Sequence, residues 1–423
     1  MYQIESVEID GFWQQFKAQC TFKPDVNIII GRNGTGKTTF MNILHSVLTV
    51  DTTGLAENEF QSVNITLSEG TDKCSIIVVK EESDPYPIVT YNTPQKPENK
   101  FRLRGIDGRR IPLSLRRKLY EEFDDIKEEL ASLVSIASIS VYRLRNDDEY
   151  EVKDRHGLRI ISPVDYRLNQ ALQGLTQFQL ELAQQASEVS DQLQSDVLAS
   201  ILYSQEDAND NVYNNLDFDK GKEKDELISA YEQLNSSNKE IEQKIEFHVN
   251  SIDQTIQKIE QAKKSKQETE NQSIDMKPLE ALRRTRRIRD LSIEAKNKTQ
   301  EIYSQVNLFI DILKEFVNGK DFKFNSGKLV ISNKYGQIDY VRLSSGEKQL
   351  IILLVEALLQ NQRPHIFLAD EPELSLHIAW QREVIPAVRK INPNAQVIVA
   401  THSPEIASKY RDSIVDMEDL VHG

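Results

Sequence analysis

The sequence predicts an α/β fold: a mixed-sheet core with an antiparallel β subdomain, split by a helical coiled-coil insertion. Three observations predict it. Val26-Asn27-Ile28-Ile29-Ile30, Ile366-Phe367-Leu368-Ala369 and Gln396-Val397-Ile398-Val399-Ala400 are short, nearly unbroken apolar runs. Strands of a parallel sheet, buried on both faces, read that way. Residues 59–91 hold three β-rich stretches, FQSVNITL, CSIIVVK and PIVTYN, which read as an antiparallel patch. From about 166 to 318 the composition shifts to Gln, Glu, Lys, Ser and Leu, with one proline, Pro278.

The elements follow in order. Ile4, Val7 and Ile9 mark a first strand, Cys20 and Phe22 hint at a second, and Val26–Ile30 runs into a Gly-rich turn. Residues 37–48 read as a helix. Residues 93–118 are Pro-rich, then basic (Lys100, Arg102, Arg104, Arg109, Arg110, Arg116, Arg117, Lys118), a loop leading to a helix over 113–132. SIASISVYRL (135–144) reads as another buried strand. Within the insertion a less regular helical arm covers 166–204, and the polar stretch 203–222 reads as a tip loop or disordered segment. Leu227, Tyr231, Leu234, Ile241, Ile245, Ile252, Ile256 and Ile259 then recur at steps of three or four. Asn238 and His248 fill the seven-residue gaps, giving a heptad seam with two polar positions. A third helix covers 278–317. The expectation is an antiparallel hairpin with a return helix, and forty helical residues would reach about 60 Å. DFKFNSGKLVIS predicts a hairpin around Asn325-Ser326-Gly327, and a helix follows over 347–360. The expected domains are 1–165, 166–318 and 319–423.

Composition excludes several classes. Two cysteines, Cys20 and Cys74, cannot build a disulfide framework or a Cys-rich zinc site. Asp plus Glu is 66 against 52 Lys plus Arg, a net charge of −14, which rules out a wholly basic surface but not a local basic patch. The apolar runs fall far short of the roughly 18 residues a membrane span needs. The start MYQIESVEID is acidic and alternating rather than a signal peptide, so the cytoplasm is the expected compartment.

Gly31-Arg32-Asn33-Gly34-Thr35-Gly36-Lys37-Thr38 fits G-x4-G-K-[ST] and stands between a strand and a helix, the context this phosphate-binding loop requires. Its glycines let backbone N–H groups approach phosphate, and the helix N-terminus adds a favourable dipole. Lys37 would hold the β and γ phosphates and the Thr38 hydroxyl would sit on Mg²⁺, with Thr39 closing the loop. Asp370-Glu371 ends the apolar run 366–369. That places Asp370 near the metal and lets Glu371 orient and activate the attacking water. Ser344-Ser345-Gly346-Glu347 is a Ser-rich turn opening a helix, either a second anion site or a plain N-cap. Glu373-Leu374-Ser375-Leu376-His377 follows the two acids, and Ala400-Thr401-His402-Ser403-Pro404 follows the last apolar run.

In this order the motifs resemble those of the ABC-type ATPases. Leu343-Ser344-Ser345-Gly346-Glu347 is similar to the LSGGQ signature, with Ser345 in place of its first glycine and Glu347 in place of its glutamine. The resemblance makes 373–377 the D-loop and His402 the switch histidine that contacts the γ-phosphate. It covers residues 1–50 and 340–405 specifically. It implies an α/β ABC-type head, ATP and Mg²⁺ as cofactors, and a head-to-head dimer in which the signature of one copy completes the ATP site of another. No Q-loop glutamine is found; Arg143 stands after the strand where one would follow.

Lys37 and Ser344 are 307 residues apart, far more than in transporter subunits of this family. The long insertion resembles the SMC, RecF and OLD-type branch. The phrase LSSGEKQLIILLVEALLQ…IFLADEPELSLHIAWQ is most similar to the small ATPases of anti-phage systems, those of Septu systems (the PtuA family) first and those of PARIS systems (the AriA family) close behind. This resemblance implies a regulatory ATPase, a homodimer or higher oligomer, and a separate HNH-type nuclease partner. A DNA-repair ATPase of RecF or SMC type, binding DNA directly, is the alternative. Arg283, Arg284, Arg286, Arg287 and Arg289, with Arg109 and Arg110, are the candidate nucleic-acid or partner contacts. At helical spacing the first five surround their helix and are equally explained as a solvated face paired with Glu280 and Asp290.

Overall fold

The apolar runs form the parallel sheet that their composition predicts. The computed structural model describes residues 1–83, 87–95, 98–103, 124–139, 150–154, 157–200, 218–233, 238–264 and 275–422. Five parallel strands lie in the order Ile414–Asp416, Val26–Ile30, Ala395–Ala400, His365–Asp370 and Ile136–Ile139. Asp370 stands opposite Ala400, and Ala400 opposite Ile29. The C-terminal ends of three neighbouring strands therefore open side by side, where ligands bind in open α/β sheets. The helix Lys37–Thr49 covers the sheet with Phe40, Ile43, Leu44 and Val47, all inaccessible to solvent.

The antiparallel strands gather in a separate seven-stranded sheet. Its order is Val421–His422, Phe16–Thr21, Gln3–Phe12, Ser62–Glu69, Asp72–Glu81, Ile88–Asn92 and Asn99–Arg102. Val63, Ile65 and Leu67 alternate inward along Ser62–Glu69 and share one core with the parallel sheet. The hairpin Asp321–Asn325/Lys328–Asn333 turns through Ser326 (φ 49°) and Gly327 (φ 76°), the two positive angles of a type I′ turn. The expected helix over 113–132 is described over 124–133, and the expected strand 135–144 over Ile136–Ile139. Residues 104–123 and 140–149, which include Arg109, Arg110 and Arg143, lie outside the described residues. Sequence pattern missed the hairpin Tyr150–Asp154/Gly157–Ile161 and both C-terminal strands, which are too short to carry a period.

The chain forms two units: Met1–Gln177 with Gln305–Gly423, and Phe178–Ser304. The unit boundaries fall inside the helices Pro163–Ser200 and Lys277–Phe316. In the second unit the single heptad helix expected over 227–259 is two helices, Lys220–Gln233 and Lys239–Lys264. They pack through Leu227, Ile245 and Val249, with Tyr231 and Ile241 alongside. Asn238 is not a seam residue. Its Oδ1 accepts the Ile241 N–H at 2.9 Å, an N-cap that starts the second helix. The three-and-four spacing holds within each helix because each turns its apolar side into this shared core. The polar stretch expected over 203–222 is already helical from Lys220, where Asp219 Oδ1 accepts the Gly221 and Lys222 N–H groups. His248 is half-buried beside the Thr285 hydroxyl at 3.2 Å, and burial lowers its pKa. Among the described residues no helix is long and apolar enough to cross a membrane.

Candidate functional site

The loop after the strand Val26–Ile30 needs its glycines for two separate reasons. Gly31, Gly34 and Gly36 have φ of 151°, 85° and 94°, a region costly for residues with a Cβ. A Cβ on Gly36 would also lie 2.9 Å from the Phe12 ring, and one on Gly31 would lie 2.7 Å from Thr35 Oγ1. Arg32, Asn33 and Gly34 are exposed, while Thr35 and Thr39 are half-buried. Thr35 Oγ1 donates to the Arg32 carbonyl at 3.0 Å. Lys37, only 4% exposed, folds back into the loop and donates to the carbonyls of Gly31 (2.9 Å) and Arg32 (3.1 Å). Burial lowers its pKa, against the pull of the Glu371, Asp370, Asp416 and Glu373 carboxylates.

Thr38, in the first turn of the helix, meets the far end of the chain. Its Oγ1 lies 3.0 Å from Asp370 Oδ2 and 3.3 Å from Oδ1, a contact between residues 332 positions apart. A hydroxyl and a carboxylate beside a phosphate loop are the hard oxygen donors that suit Mg²⁺, which binds one or two protein oxygens and takes the rest from phosphate and water. Glu371 follows in a left-handed conformation (φ 50°), with its N–H donating to Ala400 O at 2.8 Å. Non-glycine residues hold such angles only where their surroundings enforce them. Here the hydrogen bond to the next strand is one such restraint.

The signature segment begins a helix, Ser345–Leu359. Ser344 caps it: its Oγ accepts the Glu347 N–H at 3.3 Å, and Glu347 Oε2 accepts the Ser344 N–H at 3.0 Å. Glu347 also takes the Lys320 ammonium at 2.6 Å. Burial pushes the Glu347 carboxyl up, but the Lys320 and Ser344 hydrogen bonds outweigh that and hold it below its ordinary value. Ser344 and Ser345 remain exposed, whereas Gly346 is buried against the 373–377 loop. A Cβ on Gly346 would lie 2.3 Å from the Ser375 carbonyl oxygen. Gln349, 1% exposed, donates to Pro372 O at 2.9 Å and fastens the same loop from behind.

With this geometry in hand, the chain matches the AAA ATPase domain family over residues 1–407. It belongs to that family. Among curated proteins it is similar to the retron Ec83 probable ATPase of Escherichia coli, 33% identical over 89 residues, 18% of this chain and 16% of that protein. It is similar to the Septu protein PtuA of Bacillus thuringiensis, 31% identical over 108 residues, 22% of this chain and 27% of that protein. It is also similar to the phosphonates import ATP-binding protein PhnC of Mesoplasma florum, 31% identical over 129 residues, 29% of this chain and 50% of that protein. The chain thus spans between 16% and 50% of the length of these relatives. Among solved structures it is similar to the Smc head domain with an extended coiled coil from Pyrococcus furiosus, at 16% identity and a TM-score of 0.42 over 98% of this chain and 93% of that one.

In this AAA ATPase two residues had no individual role in the motif reading. Glu373 is one; its oxygen holds the segment around His402, which is itself exposed. The signal was present as a second acid two positions after Glu371, but a carboxylate in a loop has no partner until folding supplies one. Trp13 is the other. It follows the first strand in a left-handed turn (φ 51°), is 36% exposed, lies with its ring tilted 35° at 5.0 Å from Phe12, and borders Gly36.

The arginine cluster divides. Arg289 is bound by acids: Nη1 lies 3.1 Å from Glu223 and 3.2 Å from Glu226, and Nη2 lies 2.9 Å from Asp290. Arg286 stands 3.9 Å from the same Glu223, which is 4% exposed. These two staple the helix Lys277–Phe316 to Lys220–Gln233. Arg283 is half-buried and Arg284 and Arg287 are exposed, and both Arg283 and Arg287 are also engaged within the fold.

Proposed function

We propose that this AAA ATPase binds ATP with Mg²⁺ on Gly31–Thr39 and hydrolyses it. The Thr38–Asp370 contact carries the reading, because it joins the phosphate loop to the acid pair across 332 residues of chain. Thr38 and Asp370 would hold the Mg²⁺, which when bound offsets the charge of the β and γ phosphates. Lys37 would exchange its two carbonyl partners for phosphate oxygens. Glu371 would take the proton of the attacking water and His402 would face the γ-phosphate. Trp13 would stack on the adenine. Ser344, Ser345, Gly346 and Glu347 of a second copy would complete the site, with residues 1–165 and 319–423 as the head and 166–318 as the insertion. The exposed Ser344 and Ser345 support the docking role. The use of Glu347 in its own helix cap assigns it to holding that turn in shape.

The partial likeness to a Septu ATPase and to a retron ATPase supports a finer proposal: a cytoplasmic regulatory subunit of anti-phage defence whose nucleotide state controls a separate nuclease, of HNH type if the Septu likeness holds. Purified protein, assayed for ATP hydrolysis and DNA cleavage with and without the product of its neighbouring gene, tests it. Hydrolysis by this chain alone, with cleavage only in the mixture, is the expected result. DNA cleavage by this chain alone would refute the regulatory role. The exposed Arg284 and Arg287 favour the second reading, a RecF- or SMC-like machine acting on DNA. Salt-dependent DNA binding that disappears in Arg284→Glu/Arg287→Glu would select it.

A further inference from the structure

We propose that Glu373 is the positioning residue that aims His402, and that it ties that aim to the loop carrying Leu374–Leu376. The inference rests on the ATPase reading above and concerns how that site is controlled. One oxygen of Glu373 gathers three donors from the segment after the strand Ala395–Ala400: Thr401 Oγ1 at 2.6 Å, His402 N at 2.8 Å and Ser403 N at 3.1 Å. Hydrogen bonds to an ionised acceptor are about twice as strong as neutral ones. The other oxygen, Oε2, is buried with no hydrogen-bond partner among the described residues, so the carboxylate is committed to this one segment.

The link closes on itself. Ser403 Oγ donates to Gln381 Oε1 at 2.7 Å, and Gln381 Nε2 donates to the Leu376 carbonyl at 3.1 Å and the Glu373 carbonyl at 3.4 Å. The loop is pinned from within as well, by Leu374 N to Glu371 O (3.1 Å) and Leu376 N to Glu373 O (2.9 Å). Ser375, in the left-handed region at φ 67°, abuts Gly346 of the signature helix. The backbone around His402 is thus held on both sides while its imidazole stays exposed. Any displacement of the Leu374–Leu376 loop or of the signature helix behind it pulls on Glu373 and turns His402. Leu374 (38% exposed) and Ile378 (62% exposed) present this loop to an incoming surface, so docking of a second copy would reach the histidine through this carboxylate.

Steady-state ATP hydrolysis by the full chain tests the proposal, with Glu373→Ala, Glu373→Gln, His402→Ala and the double variant Glu373→Ala/His402→Ala. Glu373→Ala should lower kcat by about 100-fold, the scale expected when a reacting group is misplaced by about 1 Å, with KM for ATP unchanged. Glu373→Gln, which keeps an acceptor oxygen of the same reach, should fall between it and the wild type. The double variant should be no slower than His402→Ala alone, because Glu373 acts only through the histidine. Losses that multiply in the double variant, or a Glu373→Ala protein of unaltered kcat, would overturn the proposal. A wild-type chain that binds ATP without hydrolysing it would overturn the ATPase reading itself and this inference with it. Normal wild-type hydrolysis with multiplied losses would overturn this inference alone.

Discussion

Gly346→Ala is the smallest change that strikes the junction between the signature helix and the 373–377 loop. The added methyl would sit 2.3 Å from the Ser375 carbonyl oxygen, and ordinary contact begins near 3.4 Å, so helix or loop must give by about 1 Å. The obstructing atom is backbone, and the loop behind it is fastened by Gln349 to Pro372 O and by the turn at Ser375, so neither side yields cheaply. Overpacking of this kind costs about 1–3 kcal/mol, or roughly 5 °C in Tm. The larger effect should fall on turnover. The same loop carries Glu371 and Glu373, and a shift of about 1 Å at reacting groups costs about 100-fold. The assay is thermal unfolding of the purified chain together with ATP binding and steady-state hydrolysis. Retained binding, a modestly lower Tm and a collapsed kcat are expected. Wild-type Tm and kcat in Gly346→Ala would refute the packing argument and the coupling drawn from it.

Three further predictions follow from the same geometry. Glu371→Gln should bind ATP yet fail to turn it over, accumulating as an ATP-dependent dimer by size-exclusion chromatography; normal hydrolysis would show that another group activates water. His365, 2% exposed at the start of the strand His365–Asp370, hydrogen-bonds Ser135 through Nδ1 at 2.9 Å, and burial pushes its pKa down to about 4. The unfolded chain then binds more protons between the unfolded pKa of about 6.5 and about 4, so this residue's contribution weakens stability as pH falls through that window, by up to about 3 kcal/mol, and is neutral above it. His365→Asn should flatten that part of the curve in denaturant unfolding, and an unchanged slope would refute the assignment. Arg289→Ala should leave Glu223 buried with, among the described residues, Arg286 at 3.9 Å as its remaining cation, costing about 2 kcal/mol of local stability in the helices 220–233 and 277–316, read by hydrogen exchange, while Arg284→Ala should leave exchange unchanged.

What the sequence disclosed and what it withheld divide along physical lines. The phosphate loop was legible because its ligand dictates glycines and a lysine at fixed spacing. The strands 26–30, 365–370 and 395–400 were legible because burial on both faces leaves an unbroken apolar run. Asn238 misled because a cap and a polar seam position look identical when the period is read without the turn. The C-terminal strands Ile414–Asp416 and Val421–His422 carry too few residues for any period, and only their neighbours define them. Lys320 gave no sign that it would neutralise Glu347, and Glu373 none that it would grip residues 28 to 30 positions ahead, since both depend on approach in space.

The strand that leads into the phosphate loop is flanked by Ala395–Ala400 on one side and Ile414–Asp416 on the other. Both flanks come from the far end of the chain. At translation rates of about 5–20 residues per second, Val26–Ile30 waits on the order of twenty seconds to a minute before either neighbour is synthesised. Through that interval its backbone groups lack their sheet partners and Thr38 lacks Asp370. A nascent chain therefore carries the whole phosphate-binding motif well before Asp370 and the two flanking strands exist to contact it. A product that stops before residue 395 would lose both strands that border the one leading into the phosphate loop.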